Sequence, residues 1–246
     1  MRLDKYLVEK QLCETRSKAL DLIKRGFVTV DGKTAKKGGL DIVNQNIEII
    51  EHMSFVGRAG EKLYGAIKRF NLDFSHKTCI DIGASTGGFT DCALKSGASK
   101  IYTYDVGKDQ LVDVLRHDKR VIVHEETNIL DVELPKADII MIDVSFISII
   151  KVFEHLTNYN KEIIALIKPQ FEVGKKRVKQ GVIKDKKVHK KILEDTLNKI
   201  TKLGFNIIDL ERSDVLGKKG NQEYMVYING AYTPDTYISD LIGAIL

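Results

Sequence analysis

Two different rhythms of apolar and polar residues divide the chain near residue 55. In the first part apolar positions are sparse. Leu3, Tyr6 and Leu7 recur at helical spacing, and Thr15 can cap a second helix through Arg16-Ser17-Lys18-Ala19-Leu20 that ends at Gly26. Phe27-Val28-Thr29-Val30 reads as a strand, Asp31-Gly32 as a hairpin turn, and Asn46 to Ile50 as a further, weakly alternating strand. Residues 1–55 are thus expected to form a small α+β unit with little core. Residues 56–66 read as a linker: Gly57 and Gly60 flank Arg58, and the helical pattern starts at Glu61-Lys62-Leu63.

The second rhythm fills residues 67–246. From residue 78, short apolar runs alternate with helical stretches. Strands are expected at Thr78–Ile82, Lys100–Tyr104, Val121–His124, Ile139–Ile142, Ile163–Ile167, Phe205–Leu210 and Tyr224–Ile228. Helices are expected near Phe89–Ser96, Asp109–Arg116, Ile147–Leu156 and Lys187–Leu203. Such alternation predicts an α/β fold with a mostly parallel sheet covered on both faces. The last two strands, around Gly217-Lys218-Lys219-Gly220, read as a hairpin at the end of that sheet.

Composition and charge add little beyond this. The 246 residues carry a formal net charge of +5, which permits a polyanionic partner without demanding one. Cys13, Cys79 and Cys92 are widely spaced and odd in number, so reduced thiols in a cytoplasm are expected rather than a disulfide framework, and no metal site is expected. MRLDKYLVEK has no apolar run behind its charges, and the longest apolar stretch, 137–150, is broken by Asp138 and Asp143. Neither a signal peptide nor a membrane span is expected.

Candidate chemistry begins at Asp81-Ile82-Gly83-Ala84-Ser85-Thr86-Gly87-Gly88-Phe89-Thr90, which follows an apolar strand and opens a helix. Glycines there let the backbone approach a ligand where a Cβ would collide, and the loop lies at the carboxyl end of a strand, where open α/β sheets bind ligands. GxxxGG fits neither the dinucleotide fingerprint nor a phosphate-binding P-loop, since no Gly-Lys-Ser/Thr follows. It is similar to the first motif of S-adenosylmethionine-dependent methyltransferases. Asp105, ending the second strand, can accept hydrogen bonds from ribose hydroxyls, and Asn128, after the third, can approach an adenine. A glycine turn that serves only packing is the plainer alternative, and Asp105 argues against it.

Four charges stand at strand ends or on the preceding helix. Asp143 ends the fourth strand, Lys168 the fifth, Glu223 starts the last, and Lys62 begins the helix before the sheet. A charge in such a place is costly unless paired, so two lysines and two carboxylates would have to neutralise each other in one cleft. They are either a structural ion-pair network or a device for activating a poor nucleophile such as a ribose 2′-hydroxyl.

Asp143-Val144-Ser145-Phe146-Ile147-Ser148, Lys168-Pro169-Gln170-Phe171-Glu172-Val173-Gly174 and Gly83 to Asp91 together resemble the TlyA (hemolysin A-type) ribosomal RNA methyltransferases, within the FtsJ-like 2′-O-methyltransferases. Residues 1–55 resemble an S4-type RNA-binding module. The resemblance implies a Rossmann-like class I methyltransferase domain and a catalytic tetrad on Lys62, Asp143, Lys168 and Glu223. It implies transfer of a methyl group from S-adenosylmethionine to a cytidine 2′-oxygen. The family's common target is large-subunit (23S) RNA and longer members also modify the small subunit (16S); this chain resembles the shorter type, which implies foremost large-subunit RNA and leaves 16S rRNA as the alternative. Two departures stand out. Gly57 precedes Arg58 where relatives often carry serine, and Lys108-Asp109 stand where relatives usually carry tyrosine and glycine.

Candidate RNA-binding residues are Arg2, Lys5, Arg16, Lys18, Lys24 and Arg25 in the first unit, Arg58, and Lys175, Lys176 and Arg177 after the Lys168 motif. With no tryptophan, base stacking would fall to Phe146 or Phe171, although both are expected in the core. The expected partner is ribosomal RNA or a ribosomal subunit, with no membrane and no obligate protein partner. The competing expectations are a non-catalytic RNA-binding or assembly factor and a membrane-active hemolysin.

Overall fold

The computed structural model describes residues 1–24, 26–49, 55–173, 182–229 and 237–246. The chain forms two compact units, Met1–Ser54 and Phe55–Leu246. In the first, helices α1 (Leu3–Glu9) and α2 (Arg16–Lys24) pack against a three-stranded sheet ordered β2-β1-β3. The strands are β1 (Val28–Val30), β2 (Lys33–Thr34) and β3 (Ile47–Ile49). The β1–β2 turn places Asp31 at φ 50° and Gly32 at φ 74°, the double left-handed geometry that makes Asp-Gly a tight hairpin turn. Leu3, Leu7, Ala19, Leu22, Ile23 and Val28 make its small core.

The second unit opens with α3 (Arg58–Arg69), so the helix begins within the stretch that reads as a linker. Gly60 is there for contact rather than flexibility: a Cβ on it would sit 2.7 Å from the Gly88 carbonyl oxygen. There follow β4 (Thr78–Ile82), α4 (Gly88–Lys95), β5 (Lys100–Tyr104), α5 (Asp113–Arg116), β6 (Val121–His124) and β7 (Ile139–Ile142). The remainder is α6 (Ile149–His155), β8 (Glu162–Ile167), α7 (Pro169–Glu172), α8 (Lys186–Lys202), β9 (Asn206–Arg212), β10 (Tyr224–Asn229) and α9 (Ile238–Ile245).

The seven strands run β6-β5-β4-β7-β8-β10-β9. β4 pairs in parallel with β5 on one side and β7 on the other, so the chain reverses its winding at β4. Open α/β sheets bind ligands at the carboxyl ends of the strands beside such a reversal. β10 is inserted antiparallel between β8 and β9. All four residues of β7 are buried, as expected of a strand covered on both faces. The three cysteines are unpaired, and burial pushes the Cys79 and Cys92 thiols up to about 12.

Helix α5 is shorter than the pattern predicts. Residues 109–111 form a turn, and its backbone N–H groups are taken by the Glu125 carboxylate instead of a helix.

Candidate active site

The loop after β4 holds Gly83 at φ 86° and passes so close to β7 that a Cβ on Gly83 would lie 2.8 Å from the Asp143 carbonyl oxygen. Only glycine fits both demands. Gly88 lets α4 start against α3, since its Cβ would fall 2.9 Å from the Gly60 nitrogen. These two approaches bring the glycine loop, the end of β7 and the start of α3 together.

Asp81, beneath the loop, is fully buried. The Thr90 hydroxyl donates to its Oδ2 at 2.6 Å, while Oδ1 has no protein partner. Burial, far more than the neighbouring Asp143, pushes this carboxyl up to about 7. Asp105 accepts from the Ser85 N–H at 2.8 Å and the Gly107 N–H at 2.7 Å. Each of its oxygens keeps a free lone pair for a ribose hydroxyl.

A cavity of about 540 Å³ opens here, lined among others by Gly83, Asp105, Asn128, Asp143 and Phe146. That is within the range of small-molecule sites. A second hollow of about 170 Å³ shares Gly83, Ser85, Asp143 and Ser145 and adds Arg58, Ala84, Thr86, Gly88, Phe89 and Lys168. Asn128 lines the larger cavity, but its side chain is engaged locally: Oδ1 accepts from Leu130 N–H and Nδ2 donates to Asp131. An orphaned buried oxygen at Asp81, a glycine cradle that a Cβ would fill and a free acceptor at Asp105 together fit the groups of S-adenosylmethionine.

The four expected charges form two pairs. Lys62 Nζ, on α3, donates to Glu223 Oε2 at 2.5 Å, with both residues under a tenth exposed. Lys168 Nζ, after β8, lies 2.6 Å from Asp143 Oδ1 and donates to Ser145 Oγ at 2.8 Å. Burial raises the Asp143 carboxyl, the Lys168 and Lys62 charges oppose that rise, and Glu223 adds to it. The two pairs therefore act on one another.

Sequence reasoning missed Ser145 and Gln170. The Gln170 amide donates to Glu223 Oε1 at 3.0 Å, fixing the carboxylate from the side opposite Lys62. Its place two residues beyond Lys168 was the available signal. Phe146 is a correction: expected in the core, it is 89% exposed at φ 71°, with its ring 5.3 Å from that of Phe171. A bulky side chain in that backbone region is strained, which is common at functional sites.

Among the candidate RNA-binding residues, Arg58 is exposed and borders the smaller hollow. In the first unit Lys5 and Lys24 are exposed and Lys18 half-buried. Arg2 and Arg16 are half-exposed, and both donate to the fully buried Asp4 carboxylate at 2.9–3.1 Å. Those hydrogen bonds, despite the opposing burial, pull Asp4 down to about 2. Arg25, Lys175, Lys176 and Arg177 lie outside the described residues.

Comparison with known proteins agrees with this geometry. Residues 55–230 match the model of the FtsJ-like methyltransferases and residues 1–42 that of the S4 domain. The chain is 43% identical to Hemolysin A of Brachyspira hyodysenteriae, over 92% of this chain and 99% of that one. It is 38% identical to the 23S rRNA (cytidine-2′-O)-methyltransferase TlyA of Campylobacter jejuni, over 92% of this chain and 98% of that one. A solved structure from Streptococcus thermophilus that carries the hemolysin name superposes with a TM-score of 0.73 at 33% identity, covering 99% of this chain and 94% of that one. Among the described residues no helix is long and apolar enough to cross a membrane.

Proposed function

The chain belongs to the FtsJ-like methyltransferases, and we propose that it methylates the ribose 2′-oxygen of a cytidine in ribosomal RNA, foremost in 23S rRNA, in the cytoplasm. The observation that carries this reading is the meeting of two buried lysine–carboxylate pairs beside the glycine loop. The curated relative from Campylobacter jejuni, spanned almost end to end, supports the substrate.

S-adenosylmethionine supplies a methyl carbon made electrophilic by its sulfonium. The loop from Gly83 to Gly88 would cradle it, Asp105 would accept from its ribose, and the unpartnered Oδ1 of Asp81 would anchor its polar end. Ala84, Ser85, Thr86 and Phe89 would shape the wall, and Asn128, which lines the larger cavity, would border the adenine side. Lys168 Nζ stands between Asp143 and the smaller hollow. Burial raises the Asp143 carboxyl, the Lys168 charge opposes that rise, and Lys168 Nζ, 2.6 Å from Asp143 Oδ1 and 2.8 Å from Ser145 Oγ, is the amine placed to orient the incoming 2′-hydroxyl and accept its proton. S-adenosylmethionine held there would supply the methyl group that the 2′-oxygen takes and would leave as S-adenosylhomocysteine, while Lys168 Nζ would take up the hydroxyl proton. Lys62 and Glu223 hold a second, neutral pair alongside, braced by Gln170.

Phe146, exposed at the lip, is the platform on which the target base stacks once it leaves the RNA stack. Arg58 and the basic residues of the first unit hold flanking phosphates. The test is mapping of 2′-O-methylation in ribosomal RNA exposed to the purified protein and S-adenosylmethionine. One new methylated cytidine is expected, and none on RNA or on isolated subunits would overturn the assignment.

A further inference from the structure

Directly after β6, outside the proposed catalytic quartet, stands Glu125, whose carboxylate accepts four hydrogen bonds. Its Oε2 accepts from Asp109 N–H at 2.7 Å, and its Oε1 from Gln110 and Leu111 N–H at 2.8 and 2.9 Å. Arg116 Nη2 closes the set at 2.7 Å. Three consecutive backbone N–H groups pointing at one anion form a nest, a concavity that ordinarily takes a phosphate or a bound ion. Here the chain fills it with its own side chain. Asp109 sits at φ 50°, in the left-handed region that aspartate tolerates better than most residues but less well than glycine, so it gains from outside support. The carboxylate supplies that support. Burial alone would raise Glu125, but the Leu111, Asp109 and Gln110 N–H groups and Arg116 hold it down to about 2.

This turn is a wall of the larger cavity. Gln110 lines it, and the Gly107 N–H of the same segment donates to Asp105. Gly107 in turn accepts from Glu126 N–H at 2.9 Å, so the two segments are stitched side by side. On the other flank Leu111 and Leu115 pack where a Cβ on Gly87 would be, at the start of α4. A shift of the 109–111 turn therefore moves Gln110 and the support of the glycine loop together.

We propose that Glu125 is a positioning residue for the cofactor: by filling the nest at 109–111 it sets the distance between the Asp105 segment and the glycine loop, and with it the affinity for the nucleoside half of S-adenosylmethionine. This rests on the cofactor assignment and adds a residue that does not touch the ligand.

The test is calorimetric titration of the full chain with S-adenosylhomocysteine, alongside amide hydrogen exchange at Asp109, Gln110 and Leu111. Glu125→Gln replaces one acceptor oxygen by an amide donor facing the backbone N–H groups. It is expected to weaken binding at least tenfold and to speed exchange at the three amides at least tenfold. Adding Asp109→Gly, which removes the left-handed penalty, is expected to recover at least half of the loss on a logarithmic scale. A purely structural clamp would lower stability without this split, so binding within twofold of the unmodified chain while the amides exchange faster would overturn the proposal. So would amides that stay protected. If Glu125→Gln does not fold, Arg116→Met removes one of the four donors, and threefold weaker binding is expected; unchanged binding overturns the proposal. An unmodified chain that fails to bind overturns it together with the cofactor assignment.

Discussion

Asp81 is a buried carboxylate kept at the expense of stability, and that can be measured. Its folded-state value of about 7 lies above its ordinary 3.8. Between these values the folded chain binds the proton more tightly than the unfolded chain, so this group makes stability fall as pH rises from about 4 to 7. At about 1.4 kcal/mol per pH unit, a shift of roughly three units amounts to about 4 kcal/mol of lost stability at pH 8 and about 2 kcal/mol at pH 5. Asp81→Asn removes the titration but keeps an oxygen for the Thr90 hydroxyl. Its new buried N–H₂ costs about 1–3 kcal/mol, equally at both pH values. The absolute stability of the variant is therefore a poor guide, and the double difference is a good one. Urea unfolding of both chains at pH 5 and pH 8 should show Asp81→Asn gaining about 2 kcal/mol relative to the unmodified chain on going from pH 5 to pH 8. The same variant should bind S-adenosylhomocysteine at least tenfold more weakly, because the free Oδ1 is gone. A double difference under about 0.5 kcal/mol would refute the argument that burial dominates this carboxyl.

Lys168→Ala should lower methyl transfer by about 10²–10⁴, the usual worth of a positioned acid–base group, while S-adenosylhomocysteine binding stays within threefold by calorimetry. Retention of a tenth of the rate would remove Nζ from the proton path. Phe146→Ala, at a side chain that is almost wholly exposed, should leave the melting temperature within about 2 °C and raise KM for RNA. Loss of one base–aromatic stack corresponds to about 1–3 kcal/mol, and an unchanged KM would argue against the platform. In the first unit Asp4 is held down to about 2 by Arg2 and Arg16, so its support is present above pH 4 and lost as pH falls towards 2. Fluorescence or circular dichroism of the full chain should show that acid loss shrink in Asp4→Asn, and an identical acid profile would refute the pairing.

The parts legible in the sequence were those carried by strong periodicity or by charge in a costly place. Five parallel strands with apolar runs, β4 to β8, were read within one residue, because a buried parallel strand has no polar face to blur its ends. The quartet was legible because an ionised group at the end of an apolar strand needs a partner, and two of each sign were available. What escaped depended on contacts between distant segments. Gly60 read as part of a linker ahead of the helix, yet it is a helix position where Gly88 presses close. Asp109 read as the start of a helix, yet Glu125, sixteen positions on, claims its N–H. Asn128 lines the larger cavity as its place after the third strand suggests, and the local bonds of its amide to Leu130 and Asp131 could not be read from the sequence. Phe146 read as core because phenylalanine usually is, and only the strained backbone after Ser145 turns it outward.

The quartet's charge sets a division of labour. Lys62 with Glu223 and Lys168 with Asp143 sum to zero, so the reacting centre offers a polyanion no net attraction. A neutral centre suits the chemistry: the proton moves inside a pair, and no bare charge is left in a buried cleft when the RNA departs. Under the proposed function the pull on phosphates is assigned outside the centre, to Arg58 beside the small hollow and to the exposed lysines of the first unit. The two functions should then separate under mutation. Arg58→Ala should lessen the slope of log affinity against log salt by about one and leave S-adenosylhomocysteine binding alone. Glu223→Gln should change the rate at saturating RNA and leave that slope unchanged. If both variants shifted the slope equally, the centre itself would be holding phosphate, and the neutral-pair account of the chemistry would have to be abandoned.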